Sequence, residues 1–187
     1  MYCGIVFAED DSKDSQVAFL GEKLEVFTVT SNKEIIELVS ERKPDLVAVN
    51  TGMEDINHLS DEEEDLKEDG FIFTPSRHDT HRVRRFQAFE GLLKQSIAVD
   101  DVPEFLRFNP SITRKELAID GDSALESYGI ETEDINSAGE FDAVLGAITA
   151  RFYDQGQAED RGIVVPEPLH GEEDDETEGS GPVSKNI

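Results

Sequence analysis

Apolar residues recur along the chain in two rhythms: short continuous runs bounded by acids, Gly or Pro, and longer stretches with apolar positions three and four residues apart. The first run, residues 2–8 (YCGIVFA), is closed by Glu9, Asp10 and Asp11 and predicts a central strand ending in a turn. Residues 16–20 and 24–30 predict two further strands, and Gly21, Glu22 and Lys23 between them predict a tight hairpin. Three strands in succession make an antiparallel meander.

The rhythm then changes. Residues 31–42 (SNKEIIELVSER) open with Ser31 and, three residues on, Glu34, the pairing of a capping box, while Ile35, Leu38 and Val39 share one helical face. Pro44 stops this helix, and residues 45–50 (DLVAVN) form a β-branched run whose approach through a helix makes it a parallel partner of the first strand. Residues 54–69 (EDINHLSDEEEDLKED) lack a periodic apolar face and predict a mobile surface insertion, about 54–70. A helix is expected from Pro75 or Ser76 to Gln95, burying Val83, Phe86, Phe89 and Leu93. Residues 104–108 predict a fifth strand, stopped by Asn109 and Pro110, and short helical pieces fill residues 113–134. The strongest helical pattern is residues 139–154 (GEFDAVLGAITARFYD), with Phe141, Val144, Leu145, Ile148 and Phe152 on one face. Its Gly146, Ala147 and Ala150 allow a close approach to a sheet. Residues 163–166 (IVVP) are a last extended piece. The expectation is one α/β domain over residues 1–168 and a disordered acidic tail over residues 169–187.

Charge adds what periodicity does not. The 187 residues hold 43 Asp and Glu against 17 Lys and Arg, a formal net charge of −26. Half of it lies in residues 54–69 and 171–187, and the remainder is spread over the rest of the chain. Such acidity fits a surface that avoids polyanions, a halophilic surface that stays hydrated in molar salt, or acidic tracts that are merely disordered. Because the folded part is acidic too, salt adaptation comes first among these. The single Cys3 excludes an intramolecular disulfide framework and a cysteine-based zinc site. The first residues carry no basic leader, and no apolar run approaches the roughly 18 residues of a membrane span, so a cytoplasmic protein with no membrane contact is expected.

The order meander, helix, parallel strand, helix, strand, final helix is that of the ribonuclease-H-like fold: a mixed five-stranded sheet flanked by helices. The chain also resembles the domain-of-unknown-function 429 family, described as predicted ribonuclease-H-like nucleases. The resemblance is carried by residues 4–8 (GIVFA), 46–50 (LVAVN), 107–111 (RFNPS), 141–150 (FDAVLGAITA) and 163–166 (IVVP). It implies metal-dependent phosphodiester cleavage, in which clustered carboxylates hold two divalent ions, Mg or Mn, roughly 3.5–4 Å apart. The positions that carry the family's acids here read Val6, Asn50, Arg107 and Asp142. Only Asp142 keeps an acid; Asn50 offers a carbonyl oxygen, Val6 nothing, and Arg107 a cation. Asp10 shares the face of Val6 but lies about 13 Å along a strand, too far to share a metal shell. The bland roles are a turn former for Asn50 and, for Asp142, a helix-start carboxylate held by the helix dipole or by Arg107.

Four of nine arginines fall within nine residues. Arg77, His81 and Arg84 lie at i, i+4 and i+7 on the helix face opposite the apolar one, with Arg82 and Arg85 alongside. Arginine forks match phosphate oxygens, so this helix is the candidate nucleic-acid surface; pairing with the acidic run upstream, or a protein partner, are its other readings. His78 and His81 have no acidic ligand at recognisable spacing, and no Gly-rich phosphate loop of the usual spacing occurs. Three functions follow: a degenerate nuclease-like protein that binds nucleic acid, an active nuclease with a site rearranged around Asp142 and Asn50, or a protein-interaction module.

Overall fold

The computed structural model describes residues 1–9, 13–54 and 59–167. Asp10, Asp11, His58 and the whole of the predicted tail lie outside them. Strands β1 (Tyr2–Val6), β2 (Ser15–Leu20), β3 (Leu24–Val29), β4 (Leu46–Val49) and β5 (Glu104–Arg107) form a sheet in the order β3-β2-β1-β4-β5. The first three pair antiparallel, β4 runs parallel to β1, and β5 parallel to β4. The expected meander with a parallel extension is therefore present.

Both faces of the sheet are covered, which explains why its central strands read as unbroken apolar runs. Cys3, Ile5 and Phe7, with Val47 and Val49, pack against helices α1 (Asn32–Arg42) and α3 (Thr80–Ser96). The α1 capping box forms as predicted: the Ser31 hydroxyl accepts from the Glu34 amide, and the Glu34 carboxylate accepts from the Ser31 amide. From α3, Val83, Phe86, Phe89 and Leu93 are buried as expected, and Phe86 and Phe89 meet Phe7 and Phe105 in edge-on and tilted ring contacts.

Leu46, Ala48 and Leu106, on the opposite face, pack with α6 (Ala138–Asp154). The approach of α6 to β1 is set by two glycines. A Cβ on Gly4 would fall 2.0 Å from the Ala143 carbonyl oxygen, and one on Gly146 would fall 2.7 Å from the Phe108 ring and 3.0 Å from the Gly4 Cα. Asn109 and Pro110, expected to stop β5, also start α4 (Pro110–Glu116): the Asn109 side chain accepts from the Ser111 and Ile112 amides, and Pro occupies the first helical turn. A short α5 (Asp122–Ser127) and a hairpin of β6 (Ala158–Asp160) and β7 (Val164–Pro166) complete the described chain.

The reading of residues 54–69 as a mobile insertion is corrected over 59–69, residues 55–58 lying outside the described residues. Residues Asp61–Glu68 form α2, capped by Ser60, with acids in the first turn where the helix dipole favours them. Leu66 is fully buried and packs with Ile112, Ile163 and Val165 in a small separate cluster. One leucine and one buried carboxylate dock this helix, too sparse a pattern to show as periodicity. Among the described residues, no helix is long and apolar enough to cross a membrane.

Candidate functional site

Because β1, β4 and β5 run in one direction, their carboxyl ends meet at one edge of the sheet, the usual ligand position in open α/β folds. A cavity of about 210 Å³ opens there. Val6, Asn50, Arg107 and Asp142, the four positions singled out by sequence, all line it, and Asp79 and Arg82 join them.

Val6 presents only hydrocarbon. Asn50 is a clasp between strand ends: its Oδ1 accepts from the Phe7 amide at 2.8 Å, and its Nδ2 faces the Phe7 carbonyl at 3.5 Å. The amide thus continues the β1–β4 pairing one step past the last regular residues, supplying the Phe7 amide with its acceptor.

Arg107 does not pair with Asp142, one of the two bland roles the sequence allows that carboxylate. Its Nη1 donates to Glu63 Oε1 at 2.8 Å, and its Nη2 reaches the Thr74 carbonyl at 3.4 Å. This is a buried ion pair, with side chains 10% and 1% exposed. Glu63 Oε1 also accepts from the Ser76 amide at 2.9 Å and the Ser76 hydroxyl at 3.1 Å. Burial pushes the Glu63 carboxyl upward, but the Ser76 amide, Arg107 and the Ser76 hydroxyl together outweigh it and hold it below the usual range. Gly52 makes room for this arrangement, since a Cβ there would lie 2.3 Å from the Ser76 hydroxyl oxygen.

Asp142 instead receives Arg114 Nη2 at 2.7 Å, and the same guanidinium lies 4.6 Å from the centre of the Phe141 ring. Burial raises the Asp142 carboxyl above its ordinary value despite Arg114. Arg82, placed by sequence on the nucleic-acid face, turns into the site. Its Nε donates to the Phe7 carbonyl at 3.0 Å, and its terminal nitrogens bond Asp79 and Glu9, each at 3.1 Å. Asp79 is raised by burial, against the pull of Arg82, the Thr51 hydroxyl and Arg107. The expected partner of the arginine cluster, the acidic run, pairs through Glu63 with Arg107, while Arg82 pairs with Glu9 and Asp79.

This donor set does not fit two divalent ions. Val6 has no ligand atom, Arg107 and Arg82 bring cations, and the Asp142 carboxylate is engaged by Arg114. Among the described residues, no group of three or more His, Cys, Asp or Glu side chains is placed to hold a metal.

The helix expected from Pro75 or Ser76 starts later: Ser76–His78 form a short 3-10 turn, and α3 begins at Thr80. Arg77, on that turn, and His81 and Arg84, on α3, are exposed, whereas Arg85 is buried, its Nε donating to Asn32 Oδ1 at 3.1 Å. The predicted basic face is therefore narrower than the sequence implied. Arg77 Nε bonds the neighbouring His78 Nε2 at 3.0 Å. Sequence reasoning missed Glu63, Asp79 and Arg114. For Glu63 a signal existed, Ser60 followed three residues later by Glu63, which marks a helix start but does not say that the carboxylate turns inward.

The architecture is that of the ribonuclease-H-like fold. It is similar to Thermus thermophilus RuvC in complex with Holliday junction substrate, with TM-score 0.54 and 15% identity over 88% of this chain and 97% of that one. A second Thermus thermophilus RuvC structure gives TM-score 0.49 and 13% identity over 88% and 98%. At such identity the likeness is one of fold. No family model and no curated protein matches the chain by sequence, so the likeness reaches the ribonuclease-H-like fold and stops short of the domain-of-unknown-function 429 family.

Proposed function

We propose that this chain is a nuclease-like protein, related in kind to the domain-of-unknown-function 429 family, that has lost metal-dependent cleavage and binds nucleic acid. The observation that carries the reading is Arg107: at a position where the resembled nucleases place a metal-binding acid, a guanidinium is locked to the buried Glu63. The binding half is supported by the exposed Arg77 on the turn before α3, by the exposed His81 and Arg84 on α3, the same helix whose Arg82 reaches the site, and by the fold-mate's complex with a DNA junction. Arg82 and Arg85 hold that helix in place from its inner side. The acidic surface outside the helix would confine a polyanion to this strip and suits a salt-rich cytoplasm.

Purified protein with magnesium or manganese in concentrated potassium chloride, presented with branched, hybrid and single-stranded substrates, should leave all of them intact. Cleavage abolished by Asp142→Ala would instead establish the active-nuclease reading. Binding of a labelled junction should weaken in Arg77→Glu and Arg84→Glu, and each loss of a phosphate contact should lower the salt slope by about one. Junction binding unaffected by both substitutions would favour the protein-interaction reading.

A further inference from the structure

At the opposite pole of the sheet, between the β2–β3 turn and the turn after α5, lies a second cavity of about 180 Å³. Lys23, Gly129, Ile130 and Arg151 line it, with Glu22 and Glu131. Arg151 comes from the last turn of α6 and is half-buried. The other half-buried arginines Arg42, Arg82, Arg107, Arg114 and Arg161 all have a carboxylate within 3.1 Å. For Arg151 the structure gives one hydrogen bond, from Nη2 to the Tyr128 carbonyl at 3.3 Å, and no carboxylate partner among the described residues. The acid one turn along the helix, Asp154, is taken by the Tyr2 hydroxyl at 2.8 Å. Lys23, exposed at the mouth, likewise has no carboxylate partner among the described residues. In a chain with 43 acids, a half-buried guanidinium with no carboxylate in pairing distance can still receive a negative group. Consistently, burial lowers the Arg151 proton affinity, with only the Tyr2 and Tyr128 side chains opposing.

We propose that this cavity is a binding site for a small oxyanion, a carboxylate or phosphate group received by the Arg151 fork with Lys23 at the entrance. A planar fork matches two oxygens of either group, and the cavity's size restricts the ligand to a small molecule. Glu22 and Glu131 on the rim disfavour extended polyanions, which separates this site from the α3 face. Nothing in the proposal depends on nucleic-acid binding.

The test is a titration of isotope-labelled full-length protein with sodium phosphate and, separately, sodium acetate, at ionic strength held constant with chloride, read at the Arg151 Nε–H and the Gly129 and Ile130 amides. Saturable shifts with either probe, with a dissociation constant of about 1 mM or tighter, and at least tenfold weakening in Arg151→Met are expected. Arg151→Lys, which keeps the charge and loses the fork, should bind between the two and guards against misfolding of the first variant. Linear, non-saturating shifts with both probes in the unaltered protein, or saturation that survives both substitutions, would overturn the proposal.

Discussion

Glu63 and Arg107 show how one pair can decide a site. A carboxylate 1% exposed tolerates its charge only because Arg107 and two Ser76 groups converge on it. Removing the cation in Arg107→Ala should therefore cost about 3 to 5 kcal/mol in chemical denaturation, the range for breaking a buried pair by one partner. The pH dependence has a definite sign. The folded Glu63 value is depressed, so its contribution is present above the unfolded value of about 4.3 and is lost as pH falls through the folded value. The deficit of Glu63→Gln relative to the unaltered protein should be largest at neutral pH and should shrink in acid; a gap that widens on acidification would contradict this. For Asp79 and Asp142 the sign reverses, because their raised values make stability full in acid and diminished as pH rises. None of these pairings was legible in the sequence. The positions of Val6, Asn50, Arg107 and Asp142 could be placed by resemblance, but apart from the local Asp79–Arg82 pair, which acid meets which arginine depends on side chains reaching across elements far apart in the chain.

Elements were read with more success where burial repeats at a regular spacing. The apolar face of α3 and the whole of α6 followed from periodicity because each buries several residues at helical intervals, and the α1 cap followed from the spacing of Ser31 and Glu34. Helix α2 failed the same reading because only Leu66 and Glu63 are buried in it. The seam between β1 and α6 supplies a sharper test of packing. Gly4→Ala sets a methyl group against backbone that cannot swing aside, so a loss at the upper end of overpacking costs, about 3 kcal/mol or more, is expected by denaturant unfolding. Gly91→Ala, within α3 and with nothing within 4 Å of the added carbon, should instead stabilise by about 0.5 to 1 kcal/mol. Equal effects at the two glycines would show that the close approach of α6 to Gly4 does not set the cost there.

On the scale of the whole molecule, the net charge of −26 implies self-repulsion that salt screens. Melting temperature should rise as potassium chloride is raised from low concentration toward molar, and a flat or falling profile would remove the halophilic interpretation. The increase should persist in Arg107→Ala, since the pair it removes is buried and little screened, so the two contributions can be separated in one series of melts. The inward reach of Glu63 also sets the distance between this site and one that could hold a metal. Placing Asp at 107 alone would set a second carboxylate against a buried one, and a metal-binding cluster would further require an acid at 6 and release of Asp142 from Arg114. A carboxylate at 107 facing the buried Glu63 would lower stability on its own, so a metal-binding set lies several coupled changes from this arrangement and no single one reaches it.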